Sequence, residues 1–168
     1  MHCAYHASAV ASILSGRPNV GALMGLCEEN FGRLSRLVPD LRARSGVYTS
    51  RSTEAVELYL DVQEQARFTT TIGLTHLFPV HGEPRVYADP DARLRVYHDA
   101  RQVEVLDLRQ TILPLRADYQ SPALAAKWQV NLFLAKWLGY CLRQGHGFGC
   151  VEVAERLPEP NARVSTCL

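Results

Sequence analysis

The chain has 168 residues, 47% of them apolar and 21% charged, which suits one globular domain of ordinary size and excludes a largely disordered chain. Eighteen basic against 17 acidic residues leave a formal charge of +1. A dedicated duplex-binding protein carries a strong basic excess, so nucleic acid is not an expected partner; and no run approaches the roughly 18 apolar residues of a membrane span, so no membrane is expected either.

In chain order, residues 1–17 come first. Ala7 to Leu14 is small and mildly apolar, but no basic residue precedes Arg17, so the basic leader of a secretory signal is missing. This stretch reads as a loose N-terminal extension of a cytoplasmic protein. Five cysteines stand at irregular spacing (3, 27, 141, 150 and 167) with no CxxC pair, which fits a reducing compartment.

Residues 20–38 have helical periodicity. Pro18 and Asn19 give a start signal, Val20, Leu23, Met24, Cys27, Phe31, Leu34 and Val38 recur at steps of three and four, and Pro39 stops the run. The pattern then changes to period two. Val56, Leu58, Leu60 and Val62 share one parity, and after Gln63–Ala66 the alternation resumes as Phe68, Thr70, Ile72 and Leu74. That predicts a hairpin with one core face. A loop from Pro79 to Pro84 follows, then a short strand at Arg85–Tyr87 and a turn at Asp89-Pro90-Asp91. Leu94 and Val96 continue inward, His98 to Arg101 form a turn, and Val103 and Val105 run back. Leu106 and Leu108 switch parity, which predicts a bulge or strand end near Asp107. Ile112–Leu115 reads as a last short strand.

The strongest helix spans 122–143. Ser121 caps it, Pro122 takes its first position, Leu124, Trp128, Val130, Phe133, Leu134, Trp137, Leu138 and Cys141 form its apolar stripe, and Gly145 ends it. The expected fold is α+β: a two-layer domain over 18–150, with an antiparallel sheet of about five strands flanked by an N-terminal and a C-terminal helix. Residues 151–168 read as a mobile, Pro-rich tail.

Four segments resemble the YqiB-like bacterial proteins, a family of domains of unknown function. They are Cys27–Pro39, Arg67-Phe-Thr-Thr-Thr71, Arg95-Val-Tyr-His-Asp-Ala100 and Gln129–Leu142, in the same order as in the family. The resemblance covers roughly residues 20–146 and implies no activity or catalytic residue. It implies only an association with genes for nucleotide pyrophosphatase and cyclic-nucleotide phosphodiesterase enzymes.

Candidate sites come from the residues themselves. His76 and His98 share the inward parity at strand ends, and with Asp99 they would form an acid–base group if one rim of the sheet gathered them. Read structurally, Asp99 is a turn residue and His98 bonds to backbone. Arg33, Arg36, Arg42, Arg44 and Arg51 fall within 19 residues, and Arg93 and Arg95, beside Tyr97, would extend them into an anion site. Against that stands an arginine preference across the chain, whose only lysines are Lys127 and Lys136. Cys141, His146 and Cys150 have a metal-like spacing, but Cys141 belongs to the buried stripe, so no metal and no cofactor is expected. Trp128, Trp137 and Tyr140 read as core, with Tyr140 nearer the surface. The polar sheet face carries Tyr59, Tyr97, Thr69 and Thr71. No GxSxG is present. The leading expectation is a non-catalytic accessory domain binding a small anionic ligand or a protein partner. The alternatives are an enzyme for a nucleotide-like substrate acting through His98, Asp99 and His76, and a homodimer paired through the sheet.

Overall fold

The computed structural model describes residues 19–82, 85–111, 123–149 and 153–154. Helix α1 (Val20–Leu37) leads through a 3-10 turn (Leu41–Ala43) to strands β1 (Gly46–Ser50), β2 (Leu58–Gln65), β3 (Thr69–Pro79), β4 (Val86–Tyr97) and β5 (Gln102–Arg109). Helix α2 (Ala123–Arg143) and a two-residue strand β6 (Val153–Ala154) follow. The sheet order is β5-β4-β3-β2-β1-β6, antiparallel throughout. The α+β expectation holds. The sixth strand, in the segment read as a tail, pairs with Val47 and Tyr48 on β1.

Both helices lie on one face of this meander. Asn19 caps α1 by accepting from the Ala22 amide at 2.8 Å. Leu34 and Leu37 of α1 and Leu134, Trp137, Leu138 and Cys141 of α2 pack onto Leu58, Leu60, Ile72, Leu74, Leu94, Val96 and Val103 from the strands. The helices also meet through a buried amide: Asn30 Nδ2 donates to the Asn131 carbonyl at 3.0 Å, while the Asn131 amide bonds back within α2 to the Lys127 carbonyl at 2.8 Å. Gly145 takes φ +79° and ends α2, with the His146 amide donating back to the Cys141 carbonyl at 3.0 Å and the Gly145 amide to the Leu142 carbonyl at 3.1 Å. That pair of bonds is the Schellman geometry, which a left-handed glycine permits without strain.

Several expectations need correction. No turn occurs at Asp89-Pro90-Asp91: β4 runs straight through it, and Asp89 and Pro90 together stand opposite His76, between the pairs Thr75–Asp91 and Leu77–Ala88. Proline has no amide proton for the ladder, and a bulge is where a strand tolerates it. Phe68 falls in the turn between β2 and β3 and is 51% exposed, and Val56 precedes β2 and is 36% exposed, so neither joins the core file. The parity switch in β5 is a bulge at Leu106, the extra residue between the pairs Leu94–Val105 and Arg93–Asp107. The expected strand at 112–115, the Ser121-Pro122 start signal, Cys3, Cys150 and Cys167 lie outside the described residues, as do 1–17. Among the described residues, no helix is long and apolar enough to cross a membrane.

Candidate functional site

A groove of about 300 Å³ opens where the C-terminal half of α1, the 3-10 turn and the end of β4 meet. Phe31, Ser35, Val38 and Arg42 line one side and Val96 and His98 the other. His98 reaches it because β4 ends at Tyr97 and the His98 amide still donates to the Phe68 carbonyl, at 2.9 Å.

A chain of hydrogen bonds fixes the His98 ring. Gln65 Nε2 donates to the carbonyls of Leu41 and Arg44, at 2.8 and 3.0 Å. Its Oε1 therefore accepts, and the Thr70 hydroxyl gives it its one proton at 2.6 Å. Thr70 Oγ1 lies 2.7 Å from His98 Nε2, so His98 donates there. Neutral His98 thus carries its proton on Nε2 and leaves Nδ1 as an acceptor. Burial, and then the Arg42 guanidinium, hold the His98 pKa below its ordinary value.

One guanidinium lines the groove and a second lies over one of its rings. Arg42 spends one nitrogen on the Arg67 carbonyl at 3.1 Å, and Arg101 lies over the Phe31 ring, 5.5 Å from its centroid. Asp40 adds one carboxylate to the same wall.

The other arginines of the expected patch are scattered. Arg33 faces α2, where it donates to the Ala135 carbonyl and pairs with Glu29 at 2.5 Å. Arg44 clamps the carbonyls of Pro39 and Phe148 and covers the Tyr48 ring at 5.1 Å. Arg51 pairs with Glu57 at 2.7 Å. Arg36 is exposed on α1. Arg93 and Arg95 alternate with the buried Leu94 and Val96, so they project from the opposite face of the sheet. There Arg93 bonds Gln63 at 3.1 Å, Tyr97 bonds Glu104 at 3.0 Å, and Arg95 stands opposite Glu104. That face also carries Tyr59, Thr69 and Thr71, and its charges are mixed. Arg33→Ala should lower the unfolding free energy by about 1–2 kcal/mol in a urea titration, because it removes a charged donor from a main-chain carbonyl.

The rim expected to gather His76, His98 and Asp99 does not form. His98 lies beyond the Thr69 end of β3, and His76 lies near the other end. At ~3.3 Å per residue they are roughly 25 Å apart along the strand. The Asp99 carboxylate accepts from the neighbouring Ala100 amide at 2.8 Å, a turn role.

His76 instead meets residues from the end of α2. Its Nδ1 donates to the Glu57 carbonyl at 3.1 Å, and the Cys141 thiol lies 3.7 Å from its Nε2. The His146 ring centroid is 5.7 Å away, and His146 Nδ1 is 3.2 Å from the Ser50 hydroxyl. Burial pushes the Cys141 thiol up to about 12 and both imidazoles below their ordinary value, so all three are neutral at pH 7. Burial also pushes Cys27 up to about 11. A metal needs deprotonated thiols and an open ligand set. Among the described residues no group of three His, Cys, Asp or Glu side chains is arranged to hold a metal.

Arg67, Thr70, Gln65 and Arg101 escaped the sequence reading of this groove. Thr70 had a signal, being a polar residue in the inward file of Ile72 and Leu74.

Residues 33–147 match the profile of the family described as "Protein of unknown function (DUF1249)". The chain belongs to this family. Residue for residue it is 34% identical, over 132 positions, to the "Uncharacterized protein YqiB" of Escherichia coli strain K12, covering 76% of this chain and 91% of that protein. The YqiB proteins of E. coli O157:H7 and O6:H1 match equally well. No solved structure matches. Three of the segments that carry the YqiB-like resemblance, 27–39, 67–71 and 95–100, converge on the His98 groove, and the fourth is α2.

Proposed function

We propose that the protein is a cytoplasmic accessory domain that binds a small, nucleotide-like anion, without catalysis, in the groove between Arg42 and His98. The observation that carries this reading is a concave site lined by the Arg42 guanidinium, with Arg101 over the ring of its Phe31 wall and one histidine nitrogen left as an acceptor. Guanidinium forks suit phosphate oxygens, and an imidazole acceptor suits an N–H or O–H on the rest of the ligand. The Asp99 carboxylate accepts from the Ala100 amide, and Asp40 on the groove wall makes no hydrogen bond to His98, whose ring is held by Thr70, so the reading stops at binding. The outer sheet face supports an anion less well, because its arginines stand among carboxylates.

Adenosine 5′-monophosphate, titrated calorimetrically, tests it. Arg42→Gln is expected to weaken binding at least ten-fold, while Arg93→Gln combined with Arg95→Gln leaves it unchanged. Equal affinity in Arg42→Gln and the parent protein would overturn the assignment.

A further inference from the structure

A second groove, of about 380 Å³, lies at the other end of β3, between α2 and the bulge in β4. Its walls are Val56, Phe78, Pro90, Phe133, Trp137 and Tyr140, with His76 among them. The rings form one cluster. Trp137, Phe78 and Tyr140 lie 5.8, 6.5 and 6.5 Å from the His76 centroid, and Phe133 lies 6.3 Å from Trp137. A cavity of about 150 Å³ accepts one benzene ring, so this groove has room for a ring with a side chain.

The polar groups of the wall define the other half of the ligand. Each buried acceptor is engaged: Asp89 takes the Thr111 amide at 3.2 Å and the Thr111 hydroxyl, and His76 Nε2 faces the Cys141 thiol. Three donors are left over, the exposed Tyr140 hydroxyl among them. The indole N–H of Trp137 is buried with no acceptor among the described residues. Lys136 lines the groove, is exposed, and has no ion pair or hydrogen bond among the described residues. A lysine of this kind lays its stem along apolar surface and holds its ammonium at the edge. The exposed Lys136 ammonium and Tyr140 hydroxyl beside an aromatic wall call for a ligand that supplies acceptors and a ring.

We propose that this groove is a ligand site for a small aromatic carboxylate, whose ring packs among Phe78, Phe133, Trp137 and Tyr140 and whose carboxylate meets the Lys136 ammonium. The site is independent of the His98 groove and needs none of its residues.

The test uses the full chain carrying Trp128→Phe, so that Trp137 is the only indole that emits. Titration with 4-phenylbutanoate, excited at the indole edge, should change the Trp137 emission saturably. The uncharged 4-phenylbutanol should bind about ten-fold more weakly, and Lys136→Met should remove that difference while keeping alcohol binding. The proposal falls if acid and alcohol bind equally, if Lys136→Met binds the acid as tightly as its parent, or if a folded protein gives no saturable change. Arg42→Gln, which disables the other groove, should leave this titration unchanged. A loss here with Arg42→Gln would also overturn the assignment.

Discussion

Leu138→Ala should lower the unfolding free energy by about 3 kcal/mol, within the ~2–5 kcal/mol range for emptying a buried leucine site. Leu138 is fully buried in the middle of α2, in the cluster that joins both helices to the sheet. Lost transfer energy and an unfilled cavity both act there, since the close-packed side chains around it limit collapse. Phe68→Ala supplies the contrast. Phe68 has the inward parity of Thr70 and Ile72, yet it is 51% exposed in a turn and touches little beyond the Arg67 guanidinium, 4.9 Å from its ring centre. Its removal should cost less than about 1 kcal/mol. Urea titrations of the two variants check both values. A larger loss for Phe68→Ala than for Leu138→Ala would contradict the layer arrangement.

Acid should destabilise the protein well before its carboxylates titrate. His76, His146 and His98 all have folded-state pKa values below 6.5, with burial as the largest cause in each. The unfolded chain therefore binds protons first. Stability from these groups is complete above pH 6.5 and is lost as the pH falls towards their folded values. Each histidine contributes a slope of up to about 1.4 kcal/mol per pH unit in that window. Glu57 acts lower on the scale. The Tyr59 hydroxyl and Arg51 hold its pKa below 4.5, so its share is lost only below that value. Asp91 has the opposite sign, because burial raises its pKa and the native state takes up that proton first. Chemical denaturation at a series of pH values from 7 to 5 should show a falling unfolding free energy. His76→Gln with His146→Gln should flatten most of that fall. A level profile in the parent protein would refute the account.

Much of this fold was legible because two periodicities are clean. The i, i+3, i+4 stripe of α2 and the alternation of β2 and β3 follow directly from side chains facing a common core. Asp89-Pro90-Asp91 misled because its turn chemistry is genuine, while the bulge that absorbs it depends on His76 across the sheet. The arginines illustrate the same limit. The parity that sends Leu94 and Val96 towards the helices also sends Arg93 and Arg95 away from them. That logic, carried one step further, separates these two from Arg33 on a helix of the other layer. Arg44 and Arg33 became structural clamps on main-chain carbonyls, a role that residue type alone does not reveal. The Cys141–His146 spacing was visible, but their partners His76 and Ser50 come from strands 65 and 96 residues earlier in the chain.

The sheet also differs in kind at its two borders. Among the described residues, β6 pairs with Val47 and Tyr48 of β1. At the other border, β5 carries Glu104, Asp107 and Arg109 along its length, and the Leu106 bulge interrupts its ladder. Charged side chains and an interrupted register deny a docking strand the straight row of free amides and carbonyls that it needs. A six-stranded sheet with an unprotected outermost strand is a template for edge-to-edge stacking, and the charges and bulge of β5 work against such stacking.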